Sequence, residues 1–457
     1  MKQALIGIGS GLGAGLLALG LLFLGPLSAS DSGPEQTVAE PTSTPDATLN
    51  PAPVEPTPEE TEPEVIQCSV AELEDAPEIL SLQAQVIDAE AGTVLFDRAS
   101  ATPARSASVM KLFTAAAALE TLGPDYRITT RIYQDAVDPG KIYFVGAGDV
   151  TLSRTGVNQA SVYAKAPKLS DLASQALKTS GEDIITEIVL DSSLYGGASG
   201  EYQSVWDQRG ITNGYMSPVS ALQVDADRAS PSTKESPRSK DPVARAGLWL
   251  KEALGENAGE ALISKGITPA TAIQIASVQS RPISEWIDYM LVVSDNSQAE
   301  ALARLVSLDV GLDGSFGSLT EAYQRALLGT GLDLSEIVVE DGSGLSKYNQ
   351  ISPELVNELL VLVDKGYGDF KFILQGMPVS GTPGSLSYRF EDAVGSITAK
   401  TGWIRTGYTL AGILNTPDDS RLIFTVYNLG DVTAANREAM DDLVMGFYDC
   451  GINLVNR

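Results

Sequence analysis

The sequence predicts an α+β fold: one antiparallel sheet built from both ends of a globular chain, helices packed on it, and a mixed α/β domain inserted between the two parts. Three observations point there. Strand-like segments occur at 80–97 and again at 396–401, 408–414 and 421–429. Helical patterns lie between them, at 109–121 and 283–293, and another closes the chain at 434–448. From 128 to 280 the texture changes to short apolar runs, such as 141–145 and 184–190, with Gly-rich turns between. The simplest assembly joins terminal strands in one sheet and packs the helices on it.

Taken from the N-terminus, Met1 and Lys2 precede an uncharged stretch, 4–27, rich in Ala, Leu, Ile and Gly. It is longer than the ~7–15 residues of a signal-peptide core and long enough to span a bilayer. Pro26 and the small residues Ser28, Ala29 and Ser30 suit a cleavable signal over 1–30, and retention as a membrane anchor suits the stretch equally. Either way Lys2 holds the N-terminus inside, and the rest is exported. Residues 31–66 carry 8 of the 24 prolines, 9 acidic residues and no Lys or Arg. Such a segment lacks the apolar surface to offset its ordering entropy and reads as an extended linker, with a reach on the order of 100 Å.

The globular part starts near Cys68. Its first part covers 67–127, the inserted domain 128–280 and the second part 281–457. In 80–97 two strands flank the turn Asp88-Ala89-Glu90-Ala91-Gly92, and the helix over 109–121 stops at Gly123-Pro124. Residues 228–241 are polar, rich in Ser and Lys, and read as a loop. The only two cysteines, Cys68 and Cys450, sit at the two ends of the globular part. In an exported chain they read as one disulfide, a pair of free buried thiols being the alternative.

Composition narrows the chemistry. There is no histidine in 457 residues, which removes Ser-His-Asp triads, Cys-His dyads and His-ligated metals. Two cysteines alone do not make a zinc site, and nothing calls for a cofactor. A base must come from Asp, Glu, Lys, Tyr or a terminus. The net charge is -28, of which the linker holds -9 and the chain from Gln67 onward -20. That balance argues against nucleic acid as a partner. Contact with a membrane is expected only through the N-terminal segment.

Without histidine, a lysine-activated serine is the natural search. Ser108-Val109-Met110-Lys111 opens the Ala-rich helix, and the i, i+3 spacing sets Ser108 and Lys111 on one face. A helix N-terminus also leaves backbone N–H donors free to hold developing negative charge. Ser294-Asp295-Asn296 follows the apolar helical run 283–293. Lys400-Thr401-Gly402 follows the strand 396–399, where a strand edge can pair with an extended peptide. Each motif is weak alone, being also an ordinary cap, turn or exposed strand end. All three occur once each, in this order.

That trio is the signature of penicillin-binding proteins and class A β-lactamases. The sequence from 67 to 457 resembles the class C penicillin-binding proteins, exported D-alanyl-D-alanine carboxypeptidases and endopeptidases. Leu122-Gly123-Pro124-Asp125-Tyr126-Arg127, Gly146-Ala147-Gly148-Asp149, Asp341-Gly342-Ser343-Gly344-Leu345-Ser346, Met377-Pro378-Val379-Ser380-Gly381 and Gly384-Ser385-Leu386 are similar to further signatures of that family. The 183 positions from Lys111 to Ser294 fit its inserted domain and exceed the gap of a compact class A β-lactamase. Three departures stand out. Val150 replaces a usual proline. The loop 228–241 sits where the family commonly nests a third domain. Trp403 follows the Lys-Thr-Gly where a small or hydroxylated residue is common.

The resemblance implies a serine β-lactamase/penicillin-binding-protein-like domain. Ser108 would be the nucleophile, and Lys111 its base, with a pKa lowered by burial and by Lys400. Ser294 and Asn296 would relay the proton and hold the peptide amide. Lys400 and Thr401 would bind the substrate carboxylate, and the N–H of Trp403 would serve as an oxyanion donor. The implied partners are peptidoglycan stem peptides and β-lactams. No counterpart of the class A deacylation glutamate is evident: Glu354 and Asn357 lie in a helical segment with the wrong spacing. Slow release of bound β-lactam is therefore expected. A β-lactamase or esterase on a related fold, or an inactive envelope-binding protein, are the competing readings.

Overall fold

The computed structural model describes residues 67–456, apart from 181–183 and 198–199. The expected export segment and the Pro-rich linker lie outside the described residues. Among the described residues no helix is long and apolar enough to cross a membrane.

Two N-terminal strands, β1 (Leu82–Asp88) and β2 (Val94–Arg98), form a hairpin at one side of the main sheet. Strands β3 (Thr129–Gln134), β4 (Lys141–Val145), β5 (Glu187–Asp191), β6 (Leu262–Lys265) and β7 (Ile273–Gln279) make a second sheet. Strands β8 (Ile397–Ile404), β9 (Gly407–Asn415) and β10 (Arg421–Leu429) return to the first. The main sheet runs β2-β1-β10-β9-β8, antiparallel throughout, and both chain ends meet where Leu82 pairs with Asn428.

β10 is covered on both faces, which is why it reads as a continuous apolar run rather than an alternating one. Ile423 and Tyr427 join a core with the helices Met110–Thr121 and Pro353–Asp364, whereas Leu422, Phe424 and Val426 pack with Met440, Leu443 and Phe447 of the closing helix Ala434–Cys450. Cys68 and Cys450 form a disulfide, so the first and last segments of the globular chain are covalently joined.

The second sheet, β6-β5-β4-β3-β7, is mixed: β4, β5 and β6 are parallel, and β3 pairs antiparallel with β4 and β7. Leu172 and Ala176 from the helix Leu169–Ser180, with Val243 and Leu250 from Pro242–Leu254, pack on Phe144, Ile188 and Leu190 in a separate core. The chain enters and leaves this sheet at one point, where Ser280 N–H donates to the Ile128 carbonyl at 2.8 Å.

Two expectations change. The Lys-Thr-Gly does not follow a strand end but lies within β8, which continues to Ile404 because Lys400 and Gly402 remain paired with Ala411 and Thr409 of β9. The segment 228–241 is irregular, but it is not a solvated loop: Arg228, Ser236 and Arg238 are buried.

Candidate active site

Ser108 occupies the short 3₁₀ turn Ala107–Val109 that leads into the helix Met110–Thr121. One helical turn later Lys111 is fully buried, while Ser108 keeps some exposure. Lys111 Nζ donates to Ser108 Oγ at 3.0 Å, to Asn296 Oδ1 at 2.8 Å and to the Ser343 carbonyl at 2.5 Å. Burial is the largest influence on this amine and brings its pKa down to about 8, against the pull of Asp341, Glu300 and Asp295; Lys234 adds to the lowering.

The turn is held by close backbone packing. A Cβ on Gly344, whose φ is +85°, would stand 1.8 Å from the Ala107 carbonyl oxygen, and one on Gly402 would stand 2.9 Å from Ser108 N. Only glycine allows both approaches. Asp341 shapes the segment carrying Gly344: its carboxylate accepts from the N–H groups of Gly344 and Ser346, and from Trp206 Nε1 and Asn349 Nδ2.

Ser294 ends the helix Ile283–Val293 in the left-handed region, and Asp295 caps the next helix, Asn296–Asp309, by accepting from Gln298 N–H. That sharp junction splits the motif three ways. Ser294 Oγ accepts from Lys400 Nζ at 3.0 Å, and Asn296 Nδ2 donates to the Tyr215 carbonyl at 3.0 Å. Asp295 turns away into a buried ion pair with Arg228 at 2.8 Å.

Lys400 is fully buried and also donates to the Thr401 carbonyl at 2.7 Å. Burial, then the charges of Lys111 and Lys234, hold its pKa well below that of an ordinary lysine. Both buried amines are thus lowered, chiefly by burial. Thr401 Oγ1 donates to Ser385 Oγ at 2.9 Å. β8 is the sheet edge. The Ile397 carbonyl and the Ala399 N–H face outward to Ser380 and Pro378. The two-residue period places the backbone groups of Thr401 and Trp403 on the same edge, where, among the described residues, no further strand pairs. The Trp403 indole is 57% exposed beside Tyr408, ring centroids 6.3 Å apart.

Two hydrogen-bonded groups therefore result: Ser108, Lys111 and Asn296 in one, and Ser294, Lys400 and Thr401 in the other, joined through the chain at Asp295 and by the close approach of Gly402 to Ser108 N, with the Trp403 backbone on the same strand edge. Other singled-out groups stand apart. Asp149 folds back on Thr151, and Asn357 bonds Gln85 and Thr425 in the sheet. The sequence reading missed the Ser343 and Tyr215 carbonyls, Arg228 behind Asp295, and Glu300, which accepts from Ser343 N–H at 2.8 Å and whose pKa burial raises to about 7. Two of these left a signal: Arg228 opens the polar stretch 228–241, and Ser343 lies in the Asp341–Ser346 signature. Among the described residues no group of His, Cys, Asp and Glu side chains is arranged to hold a metal ion.

Comparison with known proteins matches the D-Ala-D-Ala carboxypeptidase 3 (S13) family over residues 67–238 and 229–447. A carboxypeptidase named DacB from Mycolicibacterium smegmatis is 33% identical over 384 residues, 82% of each chain. A carboxypeptidase of Mycobacterium tuberculosis is 31% identical over 394 residues, 84% of each. The crystal structure of penicillin binding protein 4 (dacB) from Haemophilus influenzae shares the fold: TM-score 0.71 at 19% identity, covering 83% of this chain and 99% of that one.

Proposed function

This chain belongs to the D-Ala-D-Ala carboxypeptidase 3 (S13) family, and on that footing we propose that Ser108 is the acyl-carrying nucleophile of a serine-type D-Ala-D-Ala carboxypeptidase or endopeptidase that β-lactams acylate. The observation that carries the reading is the 3.0 Å contact between Ser108 Oγ and Lys111 Nζ, an amine whose pKa burial has lowered to about 8.

In its neutral form Lys111 accepts the Ser108 proton as Oγ attacks the carbonyl of the penultimate D-Ala. Asn296 and the Ser343 carbonyl hold the amine at the serine, so the proton moves without rearrangement. The N–H groups of Ser108 and Trp403 receive the developing oxyanion. The proton taken up by Lys111 is then passed to the leaving amine, with Ser294 and Asn296 as the relay, and Lys400 Nζ holds Ser294 Oγ at 3.0 Å. The leaving residue's carboxylate binds at Lys400 and Thr401, and the rest of the peptide extends along the open edge of β8. Its acyl part meets the Trp403 indole, which biases substrate choice. Water then releases the acyl group. Among the described residues no carboxylate hydrogen-bonds Ser108 or Lys111, and we expect a bound β-lactam to leave slowly.

The enzyme acts on cell-wall peptides, outside the cytoplasm; residues 4–27 would export or anchor it, and 31–66 would space it from the membrane. Intact mass after penicillin treatment tests the site. One adduct is expected on the native chain and none on Ser108→Ala or on Lys111→Ala. Normal labelling of Lys111→Ala would refute the base assignment.

A further inference from the structure

The helix Asn296–Asp309 grips Lys111 twice. Asn296 does so directly, its Oδ1 accepting from Lys111 Nζ at 2.8 Å. Glu300, one turn further along the same face, acts through a peptide: its Oε1 accepts from Ser343 N–H at 2.8 Å, and the Ser343 carbonyl accepts from Lys111 Nζ at 2.5 Å. The segment is pressed flat against this helix, where a Cβ on Gly342 would stand 2.5 Å from Ala303 Cβ and 2.8 Å from the Ala299 carbonyl oxygen. Both peptides flanking Ser343 are bonded at each end. The Gly342 carbonyl accepts from Thr114 Oγ1 at 2.6 Å, and Gly344 N–H donates to Asp341 at 2.7 Å. Glu300 itself is 1% exposed, and among the described residues its Oε2 has no hydrogen-bond partner; Arg304 Nη2, on the same helix, stays 3.8 Å away. The carboxyl also lines a small enclosed cavity with Tyr195, Gln223 and Ser297. It is buried, it is not locked in a close ion pair, and it takes no part in moving the Ser108 proton.

We propose that Glu300 is a positioning residue for the base: it presents the Ser343 carbonyl to Lys111, and its charge decides how readily that amine gives up a proton. This rests on the assignment of Lys111 as the base of Ser108. A neutral amine carries two hydrogens and one lone pair. Asn296 Oδ1 and the Ser343 carbonyl take the two hydrogens, which leaves the lone pair for Ser108 Oγ at 3.0 Å. The charge acts separately, because an ionised Glu300 favours the ammonium form of Lys111 across a dry interior. The groups around Glu300 are Asp341 and Lys111 on the far side of the Ser343 segment, Arg304 on its own helix, and Tyr195 and Tyr323, whose hydroxyls burial keeps protonated. Burial and Asp341 make the Glu300 anion costly, and Arg304 offsets them in part. As pH falls Glu300 takes up a proton and its hold on the ammonium weakens, so the rate of acylation declines more gradually than one lysine alone would dictate.

The test is the second-order rate of penicillin acylation from pH 5.5 to 9.5, read by intact mass, for the native chain, Glu300→Gln and Glu300→Leu. Glu300→Gln keeps an oxygen for Ser343 N–H and removes the charge. Its plateau should lie within about threefold of the native one, while the pH of half-maximal rate falls by about half a unit and the curve steepens to that of a single group. Glu300→Leu leaves Ser343 N–H unpaired, and its plateau should fall at least tenfold. A Glu300→Gln profile that superimposes on the native one overturns the proposal, and so does a full plateau in Glu300→Leu. Equal loss of plateau in both variants, with the half-maximal pH unmoved and the urea midpoint lowered alike, marks a merely structural residue and overturns it too. Normal labelling of Lys111→Ala overturns the base assignment, and this proposal with it.

Discussion

Replacing Arg228 by Met breaks an ion pair whose side chains are only 2% and 3% exposed. Burial alone pushes the Asp295 carboxyl up; Arg228, the Gln298 N–H and Arg238 outweigh it and hold the pKa below its ordinary value. With Arg228 gone the carboxylate stays buried, keeps Tyr163 and Gln298 as neutral donors, and loses its direct cation. Removing one member of a buried pair costs about 3–5 kcal/mol, chiefly as the penalty of the charge left behind. Urea denaturation at pH 8 should show a loss of that order. The double variant Arg228→Met, Asp295→Asn should recover part of it, with a coupling of about 2 kcal/mol or more. The pH dependence has a definite sign. In the native protein the depressed Asp295 pKa contributes stability that is present above the unfolded value near ~3.9 and lost as pH falls through the lower folded value. In Arg228→Met the folded pKa rises from its native position, so the deficit is largest at pH 8 and shrinks as pH falls through that raised value. Additive losses in the double variant, or a deficit independent of pH, would show that the pair does not support the motif as argued. Acylation by penicillin should slow in the single variant as well, because Asp295 sits between Ser294 and Asn296.

Three further outcomes are expected. The second-order rate of penicillin acylation should rise with pH through about 8 and level off above it, since the base must be neutral; the apparent value belongs to the Lys111–Lys400 pair, and a rate falling from pH 6 to 9 would count against a lysine base. Gly344→Ala should cut acylation at least a hundredfold, while Gly331→Ala, with a similar φ of +86° and open space around it, should cost only backbone strain of about 1–3 kcal/mol; equal labelling of the two variants by mass would contradict the close-packing argument. Reducing Cys68–Cys450, which closes a separation of 382 residues, should lower stability by up to about 5–6 kcal/mol, and an unchanged urea midpoint in reductant would show that the bond adds nothing.

What could be read in the sequence was what side-chain identity and short spacing encode. Ser108 and Lys111 are three positions apart on one helix, so their contact is local. Lys400 announces itself through Thr401 and Gly402, and the need for glycine at 402 is a contact with Ser108 N that the motif records without explaining. The Asp341–Ser346 signature could be read, but not the role of the Ser343 carbonyl within it, nor that of Tyr215, because any residue supplies a carbonyl. Residues 228–241 misled because polar composition is ordinarily a sign of solvation, and here the arginines are buried by partners 67 and 24 positions away. The short strand β6 gave no clear pattern: it is a sheet edge with both faces partly exposed. β10 showed clearly because it is apolar on both faces.

The pairing of β1 with β10 also bears on how the molecule forms. The centre of the main sheet joins residues 82–88 to 422–428, so no stable core of that sheet can precede synthesis of nearly the whole chain. Closing so long a loop before any contact rewards it makes folding slow, and the hairpin β1–β2 waits meanwhile with an unpaired edge. The nucleophile turn depends on the same late event, since β8 and β9 pack directly against it and Thr409 Oγ1 bonds the Ser106 carbonyl. A chain truncated before β8 would carry both Ser108 and Lys111 and still have no assembled site, so acyl transfer arises only once the C-terminal strands have docked.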